Sequence, residues 1–262
     1  MVFENIRDAY LYSLNRLYDR GQYVDNNRWQ GILTADSEQT NQMKEYLFLY
    51  FKSKMPQTQE EAAALLDFRK LPMGDWAEEH FLERVSGEPY NPPPSHVRWH
   101  NGTSGDYKSE TEQEVFSHTY PERFWYNKVM KNGLRFENGN LWSIIEIFKA
   151  DPGTRQAFMP MFLHEDLQAS VEGERIPCSL GWHFIQRNGY LHMAYALRSC
   201  DAIRHYANDL YMAIRLAQWV NQHAFDGQLK MGMFNMNITS FHCFRNDNHR
   251  LNQLRNESSE LQ

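Results

Sequence analysis

Residues 177–201 have the sequence PCSLGWHFIQRNGYLHMAYALRSCD. Two stretches of largely alternating apolar and polar residues flank Asn188-Gly189, a dipeptide typical of tight β-hairpin turns. The sequence therefore predicts a hairpin in which one strand carries Cys178 and the partner strand ends on Arg198. Both side chains are then expected at the same end of the hairpin, where a thiol and a guanidinium can act on one ligand.

Length and composition favour a single intracellular domain over residues 1–262, since 262 residues suffice for one α+β core. The net charge is −6 and the basic residues are scattered, which disfavours direct binding to nucleic acid. The three cysteines form no CxxC pair, and we find no signal sequence and no apolar run long enough to cross a bilayer. We therefore expect no membrane association and a cytoplasmic location, the host cytoplasm if the chain is phage-encoded.

Apolar periodicity predicts several helices around the hairpin. They are expected at about 3–19, 37–54, 57–68, 141–149 and 208–223, with a final strand at 235–244. Residues 71–114 contain Pro92-Pro93-Pro94 and many turn-forming and charged residues, which predicts an insertion or a long surface excursion. Residues 246–262 are expected to form a polar, partly disordered tail.

The motifs around the hairpin resemble those of the thymidylate synthase superfamily. Its Pro-Cys pair, Arg-Ser-x-Asp and base-reading helix residue correspond to Pro177-Cys178, Arg198-Ser199-Cys200-Asp201 and Asp209. The resemblance implies an α+β thymidylate-synthase-like fold, a mixed β-sheet packed with helices, and a sheet-to-sheet homodimer. It also implies that the Cys178 thiolate adds to C6 of a pyrimidine nucleoside monophosphate, which lets C5 attack 5,10-methylenetetrahydrofolate.

The same resemblance assigns roles to residues outside the hairpin. Glu45, in Glu45-Tyr46-Leu47-Phe48, is similar to a helical glutamate that organises water and proton transfer around the base. Tyr120 resembles the tyrosine of a Tyr-Gly-x-x-Trp segment and is a catalytic candidate. Phosphate binding is implied for Arg198 and Ser199, and also for Arg155, whose loop at 151–156 reaches the other subunit in the family.

Three further assignments complete the site that the resemblance implies. His242, in His242-Cys243-Phe244, stands where the family binds the ribose hydroxyl, and Asp201 is assigned to the cofactor. Arg28 is the nearest candidate for the phosphate arginine near the N-terminus of family members. No metal site is predicted, because no histidine or carboxylate has metal-ligand spacing around His242.

Each candidate also has a purely structural interpretation. Arg155 or Arg198 near Cys178 would lower the pKa of the thiol, but most cysteines are simply buried apolar residues. Arg198 and Ser199 are equally compatible with a strand-end ion pair or cap. In the structural interpretation, Glu45 is a solvated or salt-bridged residue and Tyr120 is a core residue with a satisfied hydroxyl. His242 likewise has only a structural role.

Asp209 favours cytosine over uracil as the base. Thymidylate synthases have asparagine at the corresponding place, whereas deoxycytidylate hydroxymethylases of bacteriophages have aspartate. A carboxyl oxygen accepts a hydrogen bond from the exocyclic amine of cytosine, while N3 requires a shared proton. The alternative is that Asp209 is an ordinary helix N-cap, a place that Asn208 could equally take.

These residues predict folate-dependent C5 hydroxymethylation, preferably of deoxycytidylate. Only twenty residues follow His242, so the segment that closes over folate in thymidylate synthases is expected to be short, which disfavours reductive methylation. C5 methylation of deoxycytidylate or deoxyuridylate remains an alternative. A nucleotide-binding pseudoenzyme is another, because Gln156 and Phe244 replace an arginine and a tyrosine of the family pattern.

Overall fold

The computed structural model describes residues 1–26, 28–29, 32–33, 42–69, 74–99, 116–125 and 139–259. The strands are β1 (Val2–Phe3), β2 (Gln22–Asp25), β3 (Arg28–Trp29), β4 (Ile32–Leu33), β5 (Gln42–Lys54), β6 (Phe158–Pro160), β7 (Ser179–Arg187), β8 (Tyr190–Asp201) and β9 (Lys230–Phe244). The α-helices are α1 (Ile6–Arg20), α2 (Gln59–Arg69), α3 (Gly74–Arg84), α4 (His96–Trp99), α5 (Tyr120–Phe124), α6 (Gly139–Ala150), α7 (Glu165–Glu172), α8 (Tyr206–Phe225) and α9 (Asn248–Ser259). A 3-10 turn, Arg245–Asp247, joins β9 to α9.

Within these residues, a seven-stranded mixed sheet forms the centre of an α+β fold. Its order is β1-β5-β9-β8-β7-β6, and β2 pairs with the start of β5. Strands β8 and β9 are parallel, whereas β5 and β7 run antiparallel to their neighbours β9 and β8. The mixed sheet packed with helices agrees with the predicted fold class.

The predicted hairpin is confirmed. Asn188 has φ 52° and Gly189 has φ 79°, and positive φ at both central residues is what a two-residue hairpin turn of type I′ requires. The backbone N–H of Arg198 donates to the carbonyl of Cys178 at 2.9 Å. The thiol and the guanidinium therefore share one end of the β7–β8 pair.

Helix α8 packs on β8 and β9 and supplies much of the core. Leu210, Ile214 and Ala217 of this helix are fully buried, and so are alternate residues of the two strands beneath it. The predicted helices at 3–19, 57–68, 141–149 and 208–223 correspond to α1, α2, α6 and α8. Gly21 follows α1 as expected.

Residues 42–54 form strand β5, so the helix predicted over 37–54 is wrong there; residues 37–41 lie outside the described part. From Leu49 onward the burial has a period of two, with Leu49, Phe51 and Ser53 buried and the residues between them exposed. An aromatic-rich apolar run matches both helical and strand periods over a short window. Pairing with β9 along residues 43–54 makes it a strand.

The two segments that were expected to be peripheral contribute to the core. Within 71–114, helix α3 buries Trp76, Ala77 and Phe81, although residues 71–73 and 100–114 lie outside the described part. The tail forms α9 over residues 248–259 and buries Leu251 and Leu254, so the expectation of disorder there is wrong. Among the described helices, none has both the length and the apolar character needed to span a bilayer.

Candidate active site

A cavity of about 630 Å³ lies where β7 begins and β8 and β9 end. Seven of the predicted site residues line it: Tyr120, Cys178, Arg198, Ser199, Asp201, Asp209 and His242. The cavity therefore collects these residues from one loop, two strands and two helices that are far apart in sequence. Among the described residues, no group of three or more His, Cys, Asp or Glu side chains is arranged to hold a metal ion.

Cys178 stands immediately before β7, with its side chain accessible from the cavity. A β-bulge between Ser179 and Gly181 distorts the strand directly after it, a device that proteins use to re-aim side chains near active sites. The Arg198 guanidinium donates to the Cys178 sulfur at 3.8 Å and to the carbonyls of Pro177 and Ile176 at 2.8 and 2.9 Å. These two carbonyl bonds fix the cation beside the thiol.

The pKa of the Cys178 thiol is raised above its ordinary value, because surrounding protein atoms disfavour the thiolate. Arg198 and Arg175 act in the opposite direction, while the negative charges of Asp209 and Asp201 add to the rise. The expected lowering by Arg198 is thus real but smaller than the effect of burial. The raised pKa favours the protonated thiol over the thiolate.

Parallel pairing of β8 with β9 positions the next part of the site. Ser199 is opposite Ser240 and Asp201 is opposite His242, so the ends of both strands face the cavity together. The Ser199 hydroxyl lies 3.5 Å from Nδ1 of His242. Both side chains can donate or accept a hydrogen bond, so they are suited to contact a ligand hydroxyl.

Asp201 is buried and only partly engaged by its own loop. Oδ1 accepts the backbone N–H groups of Ile203 and Arg204 at 2.9 Å each, which holds the turn that leads into α8. Oδ2 forms an ion pair with Nε of Arg204 at 3.8 Å and has no hydrogen-bond partner among the described residues. The carboxylate charge is thus balanced by Arg204, and one oxygen still has the capacity to accept a hydrogen bond.

Tyr120 begins α5 behind a capping box made by Thr119 and Glu122. Its hydroxyl shares a hydrogen bond with the Ser179 hydroxyl at 2.9 Å, and Ser179 in turn contacts the Tyr195 hydroxyl at 2.5 Å. Burial raises the pKa of Tyr120 to about 12. The phenol is satisfied, as its structural interpretation expected, and it also lines the cavity beside the thiol.

Asp209 lies inside the first turn of α8, which begins at Tyr206 after His205. Neither Asp209 nor Asn208 is the N-cap, so both capping interpretations are wrong. The Cys200 thiol donates to Oδ2 of Asp209 at 3.5 Å. Burial raises the pKa of Asp209 to about 6, against the attraction of the Arg84 guanidinium.

Two predicted residues, Glu45 and Arg155, do not line this cavity within one chain, and the placement of a third, Arg28, lies outside the described part. Glu45 is in strand β5, not in a helix; it pairs with His242 and accepts a hydrogen bond from the Ser240 hydroxyl, but it does not line the cavity. Arg155 is exposed in the loop between α6 and β6, and only its carbonyl contacts the sheet, at His183. The backbone of Arg28 belongs to β3, and its side chain lies outside the described part.

The cavity lining also includes residues that the sequence analysis did not single out, among them Arg84, Arg175, His118 and His205. Burial lowers the pKa of His118 to about 3 and that of His205 to about 4, so both are neutral at physiological pH. The position of Arg175, three residues before the thiol, was a usable signal for an anion site. Arg84 had no local signal, because only the packing of α3 brings it to the site.

No model of a known protein family matches the chain, and no curated protein sequence matches it. The functional assignment therefore rests on the motif residues and on the cavity they share.

Proposed function

We propose that the protein is a folate-dependent pyrimidine nucleotide C5 hydroxymethyltransferase that converts deoxycytidylate to 5-hydroxymethyldeoxycytidylate. The observation that carries this proposal is the convergence of an accessible cysteine, its guanidinium partner and a buried carboxyl group around one cavity. These groups match the three tasks of the reaction, which are nucleophilic addition, anion binding and base recognition. We further propose a cytoplasmic location, where the thiol stays reduced.

The cavity provides complementary groups for each part of a nucleoside monophosphate. Arg198 and Arg175 both line the cavity and offer positive charge for the phosphate. Ser199 and His242 are suited to the sugar hydroxyl. Cys178 then faces the base as the nucleophile that adds to C6, once the thiol has lost its proton.

The raised pKa of Asp209 supports cytosine as the base. A carboxyl group with a pKa of about 6 keeps a protonated fraction near neutral pH. Such a group can accept from the exocyclic amine through one oxygen and share a proton with N3 through the other. Uracil presents O4 in place of the amine, and a carboxylate has no donor for it.

The donor and acceptor chemistry of the cavity is compatible with 5,10-methylenetetrahydrofolate, which supplies the one-carbon unit when bound. Oδ2 of Asp201, which pairs with Arg204 but accepts no hydrogen bond among the described residues, would accept an N–H group of the cofactor.

We propose a homodimer for two reasons. Arg155, assigned to phosphate binding, is exposed and remote from the cavity of its own chain. The sheet surface also exposes large apolar side chains, with Phe48 71 %, Tyr50 41 % and Phe158 49 % accessible. A two-fold partner on this surface would cover apolar area and carry Arg155 toward the second site.

A nucleotide-binding protein without catalytic activity is the second candidate, favoured by the raised pKa of the Cys178 thiol. C5 methylation of deoxycytidylate or deoxyuridylate is the enzymatic alternative. All three are separated by one experiment, in which the protein is incubated with pyrimidine nucleoside monophosphates and 5,10-methylenetetrahydrofolate and the products are identified by mass spectrometry.

A hydroxymethyl product with tetrahydrofolate supports the proposal, and a methyl product with dihydrofolate replaces it by the methyltransferase. Nucleotide binding with no product supports the inactive binder. Cys178→Ser is the test variant, and Cys243→Ala is the matched control, since Cys243 is a buried thiol that does not line the cavity.

A further inference from the structure

Helix α3 presents one face to the cavity. Trp76, His80 and Arg84 follow one another at four-residue intervals, so they share this face, and all three line the cavity. Arg84 is the last residue of the helix and is only 7 % exposed. Its Nε has no hydrogen-bond partner among the described residues. Buried arginines are rare unless they are paired, so this arrangement requires a reason.

The surroundings of Arg84 do not provide the missing partner. Its guanidinium lies over the Tyr120 ring with Cζ 4.2 Å from the centroid, a cation–π contact that supplies no oxygen or nitrogen acceptor. Glu83, next in sequence, is already engaged by the backbone N–H and the hydroxyl of Ser95, at 2.6 Å each. Asp209 attracts the cation electrostatically. The cation is therefore held at the cavity wall with at least one N–H that has no hydrogen-bond partner among the described residues.

The stacking contact connects Arg84 to the nucleophile. Tyr120 contacts Ser179 through its hydroxyl, and Ser179 directly follows Cys178. Tyr120 therefore contacts both the guanidinium and the residue that follows the thiol. Asp209 interacts electrostatically with the Arg84 cation, the Tyr120 phenol and the Cys178 thiol. Arg84, Cys178 and Asp209 line the same cavity, so a pyrimidine bound there is exposed to all three groups.

We propose that Arg84 is a catalytic residue that donates hydrogen bonds to a carbonyl oxygen of the pyrimidine and stabilises the negative charge formed when sulfur adds to C6. This inference rests on the proposed function. In the step, the thiol first loses its proton to water, and the sulfur electron pair forms the S–C6 bond. The π pair of the C5–C6 double bond moves onto C5, and the negative charge spreads to N3 and the carbonyl oxygen.

Arginine suits this role for two physical reasons. The guanidinium has only hydrogen-bond donors, so it complements a carbonyl oxygen of the base and not the exocyclic amine. Burial lowers the pKa of Arg84, but arginine starts from so high a value that it stays charged at neutral pH. A fixed cation in a cavity with little water stabilises developing charge without reorganisation.

The test is exchange of the C5 hydrogen of deoxycytidylate or deoxyuridylate for deuterium, followed by proton NMR in D₂O without cofactor. This exchange requires sulfur addition at C6 but no one-carbon transfer. Arg84→Met removes the charge and approximates the length of the side chain, and Arg84→Lys retains a charge. Arg215→Met is the matched control, because Arg215 also packs against α3, through Glu78 and Phe81, but does not line the cavity.

We expect Arg84→Met to lower the exchange rate by about 10²- to 10³-fold, the effect of removing one charge-stabilising donor. Nucleotide affinity, measured in a Cys178→Ser background, should change by much less, and Arg84→Lys should recover part of the rate. Arg215→Met should exchange at the wild-type rate. Wild-type exchange in Arg84→Met overturns the inference, as does a loss of affinity equal to the loss of rate. Absence of exchange in the wild-type protein overturns the proposed function as well.

Discussion

Replacement of Asp209 by asparagine tests whether this side chain selects cytosine over uracil. In the wild-type protein the carboxyl group presents two oxygens, one of which accepts from the Cys200 thiol at 3.5 Å. The amide of Asp209→Asn adds a donor that matches O4 of uracil, and it removes the proton that the carboxyl group shares with N3 of cytosine. The variant should therefore lose activity on deoxycytidylate and gain relative preference for deoxyuridylate.

The magnitude follows from the burial of the group. One buried polar group left without a partner costs about 1–3 kcal/mol, and two atoms of the base change partner here. Since every 1.4 kcal/mol is about tenfold, the ratio of the two kcat/KM values should shift by about 10² or more. Steady-state kinetics on both nucleotides measure that ratio. Total activity is a poorer readout, because the rest of the cavity still suits cytosine.

Asp247→Asn is the matched control for this variant. Asp247 is another carboxylate whose pKa is raised by burial, but it pairs with Arg204 and does not line the cavity. Its replacement should leave the kcat/KM ratio unchanged. An unchanged ratio in Asp209→Asn as well would remove the main support for cytosine as the substrate base.

Three further predictions follow from the site. Cys178→Ser should nearly abolish turnover and preserve nucleotide binding, because a hydroxyl is a far poorer nucleophile at neutral pH; wild-type turnover would exclude Cys178 as the nucleophile. Mixing inactive Cys178→Ser and inactive Arg155→Ala proteins should restore about a quarter of the sites if each site borrows Arg155 from its partner, and a fully active monomer in light scattering would contradict this. The pKa of Asp209, raised from 3.8 to about 6 in the fold, means that the folded state binds the extra proton, so stability is lost as pH rises from about 4 through 6. In urea unfolding, Asp209→Asn should therefore gain about 1–3 kcal/mol over the wild-type protein between pH 4 and pH 8, and a constant difference would show that Asp209 is not desolvated.

The sequence predicted structure well where the determinants are local. Asn188-Gly189 specifies its own turn geometry, and the helical period of α8 is long and regular. Strand β5 was mistaken for a helix because its identity depends on pairing with β9, a contact across almost 200 residues. The same error displaced Glu45 from the helical position that the resemblance implied.

In the candidate site, too, local contacts could be predicted from the sequence and contacts between distant segments could not. Cys178 and Arg198 meet because one hairpin joins them, so their spacing was sufficient to predict the contact. Arg84 lies nearly a hundred residues before Cys178, and only the docking of α3 against the Tyr120 segment brings it near. The pKa of the thiol depends on a balance between burial and several charges, which cannot be read from spacing alone.

The raised pKa of the Cys178 thiol has a consequence for chemical probes. Soluble alkylating reagents react with thiolates, and a thiol whose pKa is raised by its surroundings offers few of them. We expect iodoacetamide to label this residue slowly in the ligand-free protein despite its accessibility. Inhibitors that bind as nucleotides and become electrophilic only at C6 would instead be held against the sulfur by the surrounding contacts. Selective inactivation should therefore depend on occupancy of the cavity more than on the intrinsic reactivity of the reagent.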